Sequence, residues 1–197
     1  MSTLLKPILV REELLNRGMK IFSIRDFRRL FDLSDHRAKY FLEKESKAGF
    51  LWRLKKGLYG LKTDMPAEEE IANRLYRPSY ISFEYALGYY NILPEMSYWV
   101  SSATTKATRD FEIEDKSFAY FKIKRQAYTG YKLVKEAGKS FLMAEPEKAV
   151  ADYLYFVALG KKPINERLNI KFLDKRKIKD YTRLFGRGKL LKLVDKL

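Results

Sequence analysis

Residues 20–62 read KIFSIRDFRRLFDLSDHRAKYFLEKESKAGFLWRLKKGLYGLK, and the punctuation of this stretch decides how the first third of the chain folds. Ser23-Ile24-Arg25-Asp26 sets a hydroxyl at a helix N-cap and a carboxylate three residues on, the pattern of a capping box. The helix that follows carries Ile24, Phe27, Leu30 and Phe31 on one face, with Arg25, Arg28 and Arg29 elsewhere. Asp32-Leu33 leaves room only for a turn, and Ser34 then caps a second helix. There Ala38, Phe41 and Leu42 face inward, while Arg37, Tyr40, Lys44 and Lys47 recur on another face. Gly49 ends it. Residues 51–54 and 58–61 read as strands around Lys55-Lys56-Gly57. Two helices across a tight turn, followed by a basic hairpin, predict a winged helix-turn-helix. Such a unit sets its second helix in the major groove of double-stranded DNA and its hairpin against phosphates. The residues nominated for DNA contact are Arg28, Arg29, Ser34, His36, Arg37, Tyr40, Lys44, Lys47, Arg53, Lys55 and Lys56.

The net charge of +15 is unevenly spread. Residues 1–62 hold 15 Lys/Arg against 7 Asp/Glu, residues 63–160 hold 12 against 14, and residues 161–197 hold 13 against 4. A positive beginning, a near-neutral middle and a positive end point to polyanion binding at two places, with nucleic acid as the expected partner. The chain has no cysteine, which excludes disulfides and thiolate metal ligands. The opening MSTLLKPILV lacks a charged stretch followed by a long apolar one, so no secretory leader is expected. The longest apolar-looking run, residues 149–159, contains Asp152 and is too short to span a bilayer. A cytoplasmic protein with no membrane partner is therefore expected.

A first helix is expected over residues 4–17, with Leu4, Leu5, Ile8, Leu14 and Leu15 covering the helix-turn-helix. Pro66 suits a first helical position, and Glu68, Glu69 and Glu70 complement the start of a helix that Arg77-Pro78 stops. The domain boundary is placed there, giving residues 1–77 and 78–197. Ser82 is an N-cap candidate before a stripe of Phe83, Ala86, Leu87 and Tyr90. Strands are expected over residues 97–102, 109–113, 117–123, 128–134 and 140–143. Pro146 then opens a helix that buries Ala149, Val150, Tyr153, Leu154 and Val157, and from about residue 165 the chain turns helical and basic. The expected class is α+β: an N-terminal winged helix-turn-helix, then a small mixed α/β domain with a helical basic C-terminus.

Catalysis finds little support. His36 is the only histidine and stands beside Arg37, where contact with a base or phosphate suits it better than acid–base chemistry. Gly186-Arg187-Gly188 is too short to be a phosphate loop. Glu145 and Glu147 flank Pro146 at a helix start, where negative charge is stabilising in any case. No spacing resembles a metal site. No catalytic residue, metal or cofactor is expected. Tyr85, Tyr89, Tyr90, Tyr98 and Trp99 form an aromatic group that either stacks single-stranded bases or, more commonly for such residues, fills core and interface.

The segment KKGLYGL, followed by RPSYISFEYALGYYNILPE, SSATTKATRDFE and AEPEKAVADYLY, resembles the AbiEi antitoxins over residues 20–160. Its strongest elements are residues 82–94, Thr104-Thr105-Lys106 and Pro146-Glu147-Lys148-Ala149. One departure is Asn91, where glycine is expected after the paired tyrosines; Asn tolerates a left-handed backbone better than most residues. The resemblance implies a winged helix that binds inverted repeats in its own promoter and represses the operon. It also implies a second domain that counters a nucleotidyltransferase-like toxin without forming a stable complex with it. Lys106 and Lys148, each a cation inside a matching segment, are the candidates for surface contacts of that domain. Two other classes are consistent with the residues alone: a winged-helix regulator with a ligand-sensing or dimerisation domain and no toxin, and an enzyme that processes nucleic acid.

Overall fold

In the computed structural model, which describes residues 5–196, the N-terminal unit runs α1 (Pro7–Asn16), β1 (Ile21–Ser23), α2 (Ile24–Phe31), α3 (Asp35–Lys47), β2 (Leu51–Lys55) and β3 (Leu58–Leu61). Ser23 separates the first strand from the first capped helix. Its Oγ accepts the Asp26 N–H at 3.1 Å and the Asp26 carboxylate accepts the Ser23 N–H at 3.0 Å, so the expected capping box closes. Asp32 leaves α2 in the left-handed conformation, with φ 46°, and Ser34 Oγ accepts the Arg37 N–H at 3.4 Å to open α3. The three strands form one antiparallel sheet in the order β1-β3-β2. β1 is absent from the sequence expectation because three residues are too few to display a period of two.

Phe27 lies at the centre of this unit, with its ring 5.7 Å from Phe22 and 5.5 Å from Phe41. Val10, Leu14, Leu42 and Leu61 are fully buried around these rings. Complete burial of a side chain such as Phe27 contributes roughly 1.5–3 kcal/mol. α1 differs from expectation: Leu4 lies outside the described residues, and Ile8 is 55% exposed because the buried line of the helix runs through Val10 and Leu14. Arg11 holds the chain after β3 with a two-pronged bond to Asp64 at 2.7 and 2.8 Å, and this bond keeps the Asp64 carboxyl below its ordinary value.

The chain divides between Ala67 and Glu68, ten residues before the expected boundary at 77/78. The reason is α4 (Glu68–Leu75), whose Ile71, Ala72 and Leu75 are buried against strands that come later in the chain. The second unit continues with β4 (Ser79–Ile81), α5 (Phe83–Tyr89), β5 (Trp99–Thr104), β6 (Arg109–Ile113), β7 (Lys116–Lys122), β8 (Tyr131–Glu136), β9 (Lys139–Ala144), α6 (Pro146–Ala158), α7 (Lys175–Arg183) and α8 (Gly188–Lys196). Its six-stranded sheet has the order β6-β7-β5-β4-β9-β8, with β5/β7 and β4/β9 parallel and the remaining pairs antiparallel. Successive side chains of β7 point to opposite faces. Tyr120 donates to the Ala72 carbonyl of α4 at 2.6 Å, while Phe121 meets Phe83 of α5 and Phe156 of α6 edge-on. The sheet is thus covered by α4 on one side and by α5 and α6 on the other.

α6 is buried on nearly every side, since α5, α7 and α8 all pack on it; of its expected apolar stripe only Val157 is half-exposed. Asn91 has φ 56°, the left-handed geometry anticipated for it. Ser82 stands at the N-cap of α5 but does not cap it. Ser101 Oγ accepts the Tyr85 N–H at 3.2 Å and donates to the Ser82 carbonyl at 2.7 Å, which leaves the Ser82 hydroxyl for another bond. Among the described residues the fold is mixed α+β, with eight α-helices and two sheets, and no helix is long and apolar enough to cross a membrane.

Candidate nucleic-acid interface

On α3 the buried positions are Ala38, Phe41, Leu42 and Glu45. At 100° per residue, His36, Tyr40, Glu43 and Lys47 fall opposite that line, with Arg37 and Lys44 on one flank. All six are exposed. The helix therefore presents an outer surface of cations, one imidazole and one phenol, interrupted by the Glu43 carboxylate. At its first turn Asp35 draws Lys39 (2.5 Å) and Arg28 (3.4 Å) to itself, and the Lys39 bond keeps the Asp35 carboxyl below its ordinary value. Arg28 also donates to the Leu33 carbonyl at 3.4 Å, so its guanidinium ties α2 to the turn before α3. Arg29 is largely exposed, with Asp26 at 4.0 Å. Lys39 was not nominated from the sequence, although its position four residues after Asp35 is the spacing at which an acid and a base meet on a helix.

The hairpin β2–β3 is held to this unit through β1, which pairs with β3 at Ser23↔Leu58, and through the Ile24 N–H, which the Gly57 carbonyl accepts at 3.4 Å. Gly57 has φ +78°, a conformation that leaves the turn to glycine. Lys55, the last residue of β2, leads into this turn and Lys56 occupies it, beside a register shift in β2 between Arg53 and Lys55. A cleft of about 250 Å³ opens between α3 and the hairpin, lined by Glu43, Ser46, Lys47, Arg53 and Tyr59. Lys47 and Arg53, nominated from separate elements, are brought together there. Ser46 Oγ is buried with no partner among the described residues.

The two candidates of the second unit part company. Lys106 is exposed, with its N–H bonded to Thr104 Oγ1 at 3.2 Å and its ammonium 5.3 Å from the Tyr76 ring centre. Lys148 is no surface contact: it is fully buried and ion-paired with Asp152, which is also fully buried. Asp152 further accepts the Tyr80 hydroxyl at 2.9 Å and the Ser82 hydroxyl at 2.8 Å. The Lys148 ammonium lies 4.9 Å from the Phe185 ring centre and 5.8 Å from that of Tyr80. Burial pushes the lysine below and the aspartic acid above its ordinary value. The turn of α6 that follows its half-buried start carries Lys148 inward, toward the sheet face that α5 and α6 share.

Glu145 and Glu147, at the start of α6, both pair with Lys177 of α7, at 2.9 and 3.2 Å. Of the aromatic group, Tyr85 is buried and Tyr89 and Tyr90 are half-buried, whereas Tyr98 is 98% and Trp99 44% exposed. Among the described residues no three His, Cys, Asp or Glu side chains are grouped to hold a metal ion. No family model and no curated protein sequence matches this chain.

Proposed function

We propose that the N-terminal unit is a winged helix-turn-helix that binds double-stranded DNA, and that the protein is an autorepressor and antitoxin of the AbiEi kind. The observation that carries the DNA-binding part is the exposed cationic surface of α3, which opens directly after its Ser34 cap, together with a hairpin tipped by Lys55 and Lys56 in the same unit. Helix N-terminal residues such as His36 and Arg37 suit base edges, and a lysine pair on a tight hairpin suits phosphates. The antitoxin part rests on the resemblance of residues 20–160: inverted repeats in its own promoter as operator, and a nucleotidyltransferase-like toxin opposed without a stable complex. The protein acts as a binding protein in this reading, with no cofactor.

The test is titration of the full chain into a duplex of its own promoter at a series of salt concentrations. About five phosphate contacts give a log–log slope of roughly −4 to −5. An affinity independent of salt rejects DNA binding through this surface. Co-expression with a neighbouring toxin tests the second part: growth is rescued, and the two proteins do not co-purify.

A further inference from the structure

Beside the part of the sheet that α5 and α6 cover, the same face continues with no covering helix among the described residues. Trp99 of β5 pairs with Ser117 of β7, and Ser117 pairs with Glu112 of β6; the next row places Ala119 beside Asp110. Cross-strand partners share a face of the sheet. These residues, with Phe121 at the inner end, line an open groove of about 310 Å³. Its floor is two small side chains, one wall is an indole that is 44% exposed, and the other is a pair of carboxylates.

The charge here runs against the rest of the molecule. In a chain of net charge +15, residues 110–115 carry four carboxylates, and neither Asp110 nor Glu112 is ion-paired among the described residues. The nearby Lys116 is taken by Glu68 at 2.5 Å. At the inner end the same combination is already complete: Lys162 lies 4.7 Å from the Phe121 ring centre and pairs with Glu84. Among the described residues the outer part repeats an aromatic wall and carboxylates with no cation over the Trp99 ring; the Arg109 guanidinium lies 5.4 Å from the ring centre of Phe111, which also lines the groove. β6 is an edge strand, so a further extended segment has backbone to run beside.

We infer that this groove docks an arginine-bearing segment of a partner protein. The guanidinium stacks on Trp99 and donates to Asp110 and Glu112, and the flanking residues of the partner run beside the edge strand β6. Arginine suits the site better than lysine because its planar head stacks on an indole while its edge bonds carboxylates. Nucleic acid is disfavoured, since the two carboxylates repel phosphate.

The test uses the full chain and three synthetic peptides, hexa-arginine, hexa-lysine and hexa-glutamate, followed by calorimetry. A Trp52→Phe background makes Trp99 the sole indole reporter for a parallel fluorescence titration. The expected result is saturable binding of hexa-arginine, tighter than hexa-lysine, with Trp99 emission altered by hexa-arginine and unchanged by hexa-glutamate. Trp99→Ala and the double variant Asp110→Asn/Glu112→Gln, both at exposed positions, should weaken it by about tenfold or more while leaving the melting temperature unchanged. Absence of saturable binding, or binding that neither variant weakens, overturns the inference. Self-association of the wild type that Trp99→Ala abolishes would make the occupant a second copy of this chain and overturn it equally.

Discussion

A lysine with no water around it must find another source of negative charge, and Lys148 finds it in Asp152. Removing one partner of such a pair leaves an uncompensated buried charge, at a cost of about 3–5 kcal/mol. Asp152→Asn and Lys148→Met should therefore each lower the unfolding free energy from urea titration by that order, and the double change Lys148→Met/Asp152→Leu should recover much of the loss. A single variant of native stability would mean that the pair carries no structural weight. This lysine was not legible as a core residue, because a cation on a helix is ordinarily read as surface; the available signal was Asp152 four residues on within an otherwise apolar stretch. Asn91 was legible, since only its own backbone preference was at stake. Phe83 was not: it takes φ 57° while fully buried, a conformation that bulky residues avoid and that only its tertiary surroundings impose. Arg37 carries the prediction on base readout. Arg37→Ala should cost on the order of 1–3 kcal/mol on the true operator and flatten discrimination against mutated sites. An equal loss on specific and random duplexes would assign Arg37 to phosphate instead.

At the scale of elements, what was legible is what neighbouring residues decide among themselves. The capping box at Ser23, the break at Asp32-Leu33 and the turn around Gly57 each rest on three or four consecutive residues, and each stands where expected. β1 and β4 are three residues long and exist because distant strands supply their hydrogen bonds, so no local pattern announces them. The docking of α7 on the start of α6 is likewise a long-range event with a pH signature. Tyr181 donates to Glu145 at 2.6 Å and Lys177 pairs with it, which holds the Glu145 carboxyl below its ordinary value of 4.5. That contribution is complete above pH 4.5 and is lost as the pH falls through the lower folded value. The Lys177 value is raised, so its share persists below the ordinary 10.5 and is lost only at a higher pH. Glu145→Gln should cost about 1 kcal/mol at neutral pH and remove part of the acid sensitivity, as followed by thermal melts between pH 7 and 3. Identical pH profiles for the two proteins would discard this account. In the hairpin, Lys55→Ala/Lys56→Ala should weaken binding to all duplexes by a similar factor and make the salt slope shallower by about two. A sequence-selective loss would place the hairpin tip on base edges.

At the scale of the molecule, the division between Ala67 and Glu68 changes how the two proposed activities are to be separated. A cut after residue 77, where Arg77-Pro78 breaks the local pattern, would leave α4 attached to the N-terminal unit. Ile71, Ala72 and Leu75 would then lose the strands that bury them. A cut after residue 67 leaves the N-terminal core around Phe27 intact and exposes none of these side chains. The fragment 1–67 is therefore expected to be soluble and cooperatively folded, whereas 1–77 should bind apolar dyes and aggregate more readily. If the N-terminal unit alone holds the DNA-binding surface, fragment 1–67 should retain salt-dependent binding to duplex DNA but fail to rescue cells from the toxin. The converse variant, Arg37→Ala with Lys55→Ala and Lys56→Ala, replaces no fully buried side chain, since Arg37 and Lys56 are exposed and Lys55 is half-buried. Expressed from a foreign promoter, it should lose repression of its own promoter and keep rescue. Rescue by fragment 1–67 would refute the assignment of antitoxin activity to residues 68–197. Loss of rescue in the triple variant, with its melting temperature intact, would tie that activity to DNA binding itself and join the two roles in one unit.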